Sequence, residues 1–99
     1  MPIALIQRMP PQFSTQTYDR VRAEANLEDD PPEGLISHVL GISDTGSVVL
    51  DVWESIEDFE RFREERLDPA LRAVMGEQAA AALPAPKREF IPIHHLVTR

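Results

Sequence analysis

Proline decides where regular structure can run in this chain. Pro10-Pro11, Pro31-Pro32 and Pro84-Ala85-Pro86 each end a stretch of apolar periodicity. A proline removes a backbone donor and locks φ, so neither a helix interior nor a central strand continues through it easily. Before the first stop, Pro2-Ile3-Ala4-Leu5-Ile6 opens a segment over residues 2 to 9 that reads as a first strand. After it, Phe13 precedes Ser14 or Thr15 as a helix cap, and Tyr18, Val21 and Ala25 fall along one helical stripe. Asp29-Asp30-Pro31-Pro32-Glu33-Gly34 closes that helix in a polar loop.

The middle of the chain reads as a hairpin. Leu35 to Ile42 and Ser47 to Ser55 are strand-like, and Asp44-Thr45-Gly46-Ser47 between them has tight-turn composition. Ser55 with Asp58 resembles a capping box, after which Phe59 and Phe62 mark a buried helix face. Asp68 as cap and Pro69 at the first helical position predict a second helix at a new angle, continued by Leu71, Val74 and Met75. Ala79 to Ala82 is its end or a frayed arm, and Phe90 to Val97 reads as a last strand, with Pro92 at an edge or bulge. The order strand, helix, strand, strand, helix pair, strand predicts an α+β, ferredoxin-like βαββαβ domain over residues 1–99. Its four-stranded antiparallel sheet would carry helices on one face only.

Composition narrows the partners. Seventeen acidic against ten basic residues leave a net charge near -7, which offers no broad positive field to a phosphate backbone, so no nucleic acid is expected. The absence of cysteine removes disulfides and thiolate chemistry. The opening apolar run is too short for a signal core or a membrane span, so a soluble cytoplasmic protein with no membrane partner is the expectation. At 99 residues, roughly 65% of the extended chain's surface would be buried in a compact monomer, a margin to which a second subunit could add.

If Thr45 and Gly46 are the central turn residues, His38 lies opposite Trp53, Leu40 opposite Asp51, Ile42 opposite Val49 and Ile36 opposite Ser55. Val39, Gly41, Val48, Leu50 and Val52 make the complementary face; being small, branched and apolar, they are expected under the helices. His38, Asp51 and Trp53 are then expected on the face away from the helices, as polar handles in a partly apolar cavity. Equally, they would meet water or a subunit interface. His94 and His95 point to opposite faces of a regular strand and do not chelate from one side, so no metal site is expected. Gln7 and Arg8 read as an exposed strand end or a polar lining, and Tyr18 as a packing residue with its hydroxyl at the edge. No glycine cluster forms a phosphate loop.

The stretches Thr17-Tyr18-Asp19-Arg20-Val21, Pro32-Glu33-Gly34-Leu35-Ile36-Ser37-His38, Val49-Leu50-Asp51-Val52-Trp53-Glu54-Ser55 and Phe59-Glu60-Arg61-Phe62 resemble the dimeric α/β-barrel proteins related to antibiotic-biosynthesis monooxygenases. Arg66-Leu67-Asp68-Pro69-Ala70-Leu71 is similar to a subgroup of them, and the resemblance spans roughly residues 2 to 97. It implies two ferredoxin-like subunits packed sheet to sheet as a dimeric α/β barrel, a homodimer. His38 and Trp53 match the subgroup's histidine and tryptophan. Some members oxidise small polycyclic phenols without metal or flavin, whereas others bind or degrade haem or isomerise small acids.

Two functional expectations follow. In the first, a cofactor-independent monooxygenase takes a small aromatic or polyketide-like compound beside Trp53, Leu40, Ile36 and Val49. His38 removes or relays a proton and Asp51 orients it, and a small-acid isomerase or lyase would share that step. In the second, the chain is a non-catalytic binding or structural module for a small apolar metabolite. A cavity of roughly 300 Å³ or more with His38 in its wall favours the enzyme.

Overall fold

Ile3, Leu5 and Gln7 are all buried on one side of β1 (Ile3–Arg8), and that side decides where the rest of the chain packs. The computed structural model describes residues 1–99. After β1 come α1 (Thr15–Glu24), β2 (Leu35–Ser43), β3 (Gly46–Trp53), α2 (Ile56–Phe62), a π-helical segment Arg63–Leu67, α3 (Asp68–Met75), α4 (Glu77–Ala82) and β4 (Lys87–Pro92). The sheet order is β2-β3-β1-β4, with every neighbouring pair antiparallel. This is the ferredoxin-like α+β fold.

The barrel expected for this chain is not formed. β2 and β4 are edges that pair with nothing beyond them, so the sheet is open. Four strands are too few to curl closed around packed side chains, which takes about eight. β4 is also earlier and shorter than expected: it ends at Pro92, and apart from the bond from Ile93 N–H to the Pro2 carbonyl at 3.1 Å the tail carries no ladder. His94 and His95 therefore lie beyond the strand.

The hairpin turns about Asp44 and Thr45, one residue earlier than expected, and Ser43 Oγ donates to the Gly46 carbonyl at 3.2 Å across it. Moving the centre by one residue changes the register by two, so partners change while faces do not. His38 pairs with Asp51, Leu40 with Val49 and Ile42 with Ser47. A bulge between Leu35 and Ser37 leaves Ile36 as the extra residue and sets Leu35 opposite Trp53.

The two sheet faces are the reverse of the expected assignment. Ile3 pairs with Trp53 and Leu5 with Asp51, so Trp53, Asp51 and His38 share the helix-covered side. Val39 and Leu50 are about half exposed on the other side, with Ile91 beside them. Trp53 supplies the bulk that bridges sheet and helices, meeting the Phe59 ring edge-on at 5.6 Å and Phe62 at 5.7 Å. Together with Ile3, Leu5 and Phe59 it forms one core cluster; Phe13, Val21, Ala25 and Ala70 form another between α1 and α3.

Ser14 caps α1 by accepting from Thr17 N–H at 3.1 Å, and Ser55 caps α2 by accepting from Asp58 N–H at the same distance. Asp68, in contrast, is no cap. Its φ of -62° and ψ of -43° are helical, and its N–H bonds the Arg63 carbonyl five residues back. The wide π turn accommodates Pro69, which lacks an N–H and would crowd the preceding turn of a regular α-helix. The helix thus runs through this point instead of starting afresh, and the Asp68 carboxylate accepts from Arg63 Nη1 at 2.8 Å. One turn further on, Arg66 Nη2 donates to the carbonyls of Ala25, Asn26 and Asp30, tying the end of α1 to this helix. No helix is long and apolar enough to cross a membrane.

Gly34 joins the loop to β2 with φ +87°, and its carbonyl accepts from Glu54 N–H at 2.8 Å. A Cβ there would stand 2.3 Å from Asp58 Oδ2. Gly34→Ala therefore combines a left-handed backbone with a clash against the start of α2. Urea unfolding should show a loss of about 1–3 kcal/mol; an unchanged midpoint would mean that this junction tolerates a side chain.

Candidate functional site

Alternation along β3 brings Val49, Asp51 and Trp53 to the covered face, and the hairpin register sets His38 beside Asp51. The Asp51 carboxylate is buried and fully engaged. Its Oδ1 lies 2.6 Å from His38 Nδ1, and its Oδ2 accepts from Trp53 Nε1–H at 3.0 Å. An indole N–H is only a donor, and a carboxylate bonded to imidazole takes the Nδ1–H, which leaves Nε2 as the acceptor. The Tyr18 hydroxyl, brought across by α1, lies 2.6 Å from that Nε2, with the two rings stacked at 16°. The result is a directed chain: Tyr18 O–H to His38 Nε2, His38 Nδ1–H to Asp51. The Tyr18 oxygen keeps lone pairs for a further donor. Burial raises the Tyr18 pKa above its ordinary value; Arg22 opposes this, and the Asp51 charge adds to it.

This chain forms part of the wall of a cavity of about 260 Å³ between the sheet and the helices. The volume falls just below the roughly 300 Å³ at which ordinary ligand pockets begin, so it suits a small compound. Phe13, Val21, Phe62 and Leu71 give it an apolar lining. Of the residues expected to line a ligand site, Val49 and Trp53 are in the wall, whereas Leu40 and Ile36 are not. Leu40 shares the face of His38 but stands two pairs nearer the hairpin tip, and the bulge substitutes Leu35 for Ile36.

The opposite end of the cavity is cationic. Arg88 on β4 pairs with Gln7 on β1, and its Nε–H donates to Gln7 Oε1 at 2.6 Å. Its guanidinium lies over the Phe59 ring, 5.4 Å from the centroid. Arg88 keeps solvent access on its edge strand, yet desolvation of its head lowers its pKa; Arg63 adds to that effect, and Glu60 and Asp68 oppose it. Arg63, at the start of the π segment, is already committed: Nη2 bonds Glu60 at 2.7 Å and Nη1 bonds Asp68 at 2.8 Å. No cluster of three or more His, Asp or Glu side chains is arranged to hold a metal ion.

Sequence reasoning singled out His38, Asp51 and Trp53, which the structure brings into contact, and it missed Tyr18 and Arg88 as members of the site. Two signals were available. Tyr18 is the polar member of the Tyr18-Val21-Ala25 stripe, and Gln7 is the polar member of the Ile3-Leu5-Gln7 alternation.

No protein-family model matches the sequence, and no curated protein matches it. The structure is similar to Rv0793 from Mycobacterium tuberculosis, at 16% identity and TM-score 0.66 over 99% of this chain and 100% of that one. It is also similar to SnoaB, a cofactor-independent oxygenase from Streptomyces nogalater, at 16% identity and TM-score 0.64 over 99% of this chain and 98% of that one. A conserved protein from Methanosarcina mazei Go1 follows at 10% identity and TM-score 0.59, covering 91% and 90%. Other similar structures carry the antibiotic biosynthesis monooxygenase designation. The chain has the fold of these proteins.

The sequence contains one tyrosine, so phenolate absorbance reports on Tyr18 alone. Alkaline titration of the folded protein should give a midpoint above the ordinary value of about 10, and His38→Ala should alter it. Because folding raises this pKa, the unfolded chain loses the proton first. The associated stability is intact below about pH 10 and is lost as pH rises through the folded value. A midpoint at or below the free-tyrosine value would contradict the burial of this hydroxyl.

Proposed function

We propose that the protein is a cofactor-independent monooxygenase for a small aromatic hydroxyl compound, with Tyr18, His38 and Asp51 removing the proton that starts the reaction. The observation that supports it is the hydrogen-bond chain ending in an acceptor at the cavity wall. A substrate hydroxyl donates to the Tyr18 oxygen while the Tyr18 proton moves to His38 Nε2, so the phenol changes its proton without accumulating as phenolate. Its raised pKa favours that neutral form. The imidazolium forms against Asp51, whose second oxygen is held by Trp53.

The chemistry balances without an external reductant. Loss of the hydroxyl proton from a phenol with a ring C–H para to it places carbanion character on that carbon, which forms a C–O bond with dioxygen as the phenolic carbon becomes a ketone. The C–H proton on the same carbon then leaves as the O–O bond breaks. That carbon becomes a second carbonyl, two electrons pass from it to the peroxide, and one oxygen atom departs as water with the protons released from the hydroxyl and the carbon. The apolar lining keeps solvent from competing for the anion. The likeness to SnoaB, described as a cofactor-independent oxygenase, supports the same reading at the level of the fold.

The decisive measurement follows oxygen uptake and product together for substrates found among hydroxylated aromatics. Tyr18→Phe and His38→Ala should each lower turnover by about 10²- to 10⁴-fold, the usual contribution of a positioned acid or base. Rates equal to those of the unaltered protein would remove the relay from catalysis, and product without oxygen uptake would replace oxygenation by isomerisation or lyase chemistry.

We also propose that the working form is a homodimer joined through the sheet face carrying Val39, Leu50 and Ile91. The chain exposes 6643 Å², against roughly 5,700 Å² for a compact protein of its mass. The excess is comparable to the roughly 800 Å² each partner contributes to a standard interface. Leu40, on the covered face, is not part of this contact. Light scattering should give twice 11.2 kDa, and Leu50→Asp should shift the mass towards the monomer; a monomer at all micromolar concentrations would rule the dimer out.

A further inference from the structure

The proton relay occupies one end of the cavity and leaves unexplained why a charged group sits at the other. Arg88 forms no ion pair, although Arg63 beside it holds Glu60 and Asp68. Gln7 is more than nine-tenths buried, and its carbonyl oxygen is consumed by Arg88 Nε–H. Since Arg Nε–H requires an acceptor, the orientation of the amide follows, and its NH₂ remains as a donor with no acceptor from the protein. Both residues line the cavity. The Arg88 Nη groups and the Gln7 NH₂, planar donors on paired strands with no protein oxygen to receive them, are therefore presented to whatever fills it.

Resting on the proton-relay reading of the other end, we propose that Arg88 and Gln7 form a carboxylate-binding subsite, so that the compound bound is an aromatic acid held by its ionised carboxylate. A carboxylate has two coplanar oxygens to match a guanidinium N–H and an amide N–H, and its bonds to a cation are the strong, short kind. A single negative charge suits the place better than a phosphate does. Glu60 and Asp68 stand close enough to be felt by Arg88, and the chain carries an excess of acid overall. Phe62, in the same wall, supplies an apolar neighbour for the aromatic body of such a ligand.

Sheet geometry sets the length. Gln7 is two strands and two residue positions away from His38, which separates their Cα atoms by about 12 Å at standard strand and residue spacings. With both side chains and Tyr18 reaching inward, the span left for the ligand is that of about two fused rings. The carboxylate and the acidic hydroxyl are therefore expected at opposite ends of the compound.

The test compares 6-hydroxy-2-naphthoic acid with its methyl ester by isothermal titration calorimetry on the unaltered protein. The acid should bind tighter than the ester by roughly tenfold or more, the scale of hydrogen bonds to a charged group. Arg88→Gln should abolish the preference, Arg88→Lys should keep part of it, and Gln7→Leu should reduce it. Tyr18→Phe should leave it intact, because the hydroxyl end lies elsewhere. Equal affinity for acid and ester, no binding of the acid at millimolar concentration, or a preference that survives Arg88→Gln would each overturn the subsite. An acid preference that persists while Tyr18→Phe and His38→Ala leave turnover unchanged would uphold the subsite and reject the relay.

Discussion

The Asp51 carboxylate is the interaction on which the site depends. It is buried, which by itself is unfavourable for a carboxylate, and its environment compensates through two donors: the imidazole of His38 on one oxygen and the indole of Trp53 on the other. Those bonds do more than satisfy Asp51. The first selects the His38 tautomer and aims Nε2 at α1, where the Tyr18 hydroxyl meets it. The second pins the largest side chain of the core, around which Phe59 and Phe62 pack. Loss of the carboxylate would leave a buried indole N–H and an imidazole N–H without acceptors, so chemistry and packing share one anchor.

Around this anchor the cavity has two unlike ends. One holds a hydrogen-bond chain from Tyr18 through His38 to the Asp51 carboxylate; the other holds a cation whose protein partners are incomplete. The π turn at Arg63–Leu67 contributes to both wall and charge pattern, since it turns Arg63 and Leu67 towards the cavity while Asp68 restrains Arg63. Wide turns of this type are often found where a helix adapts to a function.

Much of the fold was legible because its signals are local. Ser14 and Ser55 cap helices through contacts three residues away, and prolines end segments by their own chemistry. The orientation of the sheet was not legible in the same way. Judging faces by apolarity favours Val39, Leu50 and Val52 for the interior, but a buried polar group is acceptable when its partners come from elsewhere in the chain. The partner of His38 is Tyr18, twenty residues earlier and on a helix. The Asp68-Pro69 pair misled for a related reason. It has the local form of a helix start, and only the widened turn behind it allows the helix to pass. Edge strands expose the remaining gap: Arg88 looks like an ordinary surface charge until β4 is paired with β1 and Gln7 stands beside it.

Arg66 has a consequence for how this architecture tolerates sequence drift. Its guanidinium grips main-chain oxygens of Ala25, Asn26 and Asp30, and so recognises chiefly the path of the loop, with the Asp30 carboxylate at 3.9 Å as the one loop side chain it also meets. The cation also faces the negative end of the α1 dipole, a match that any sequence in the loop preserves. Substitution at an exposed loop position such as Asp29 can be absorbed while α1, and Tyr18 with it, keeps its seat over the sheet. Lysine at position 66 would place a compact ammonium where a broad planar head now spans several carbonyls. The variable and the irreplaceable parts of the joint thus lie on opposite sides of the same hydrogen bonds.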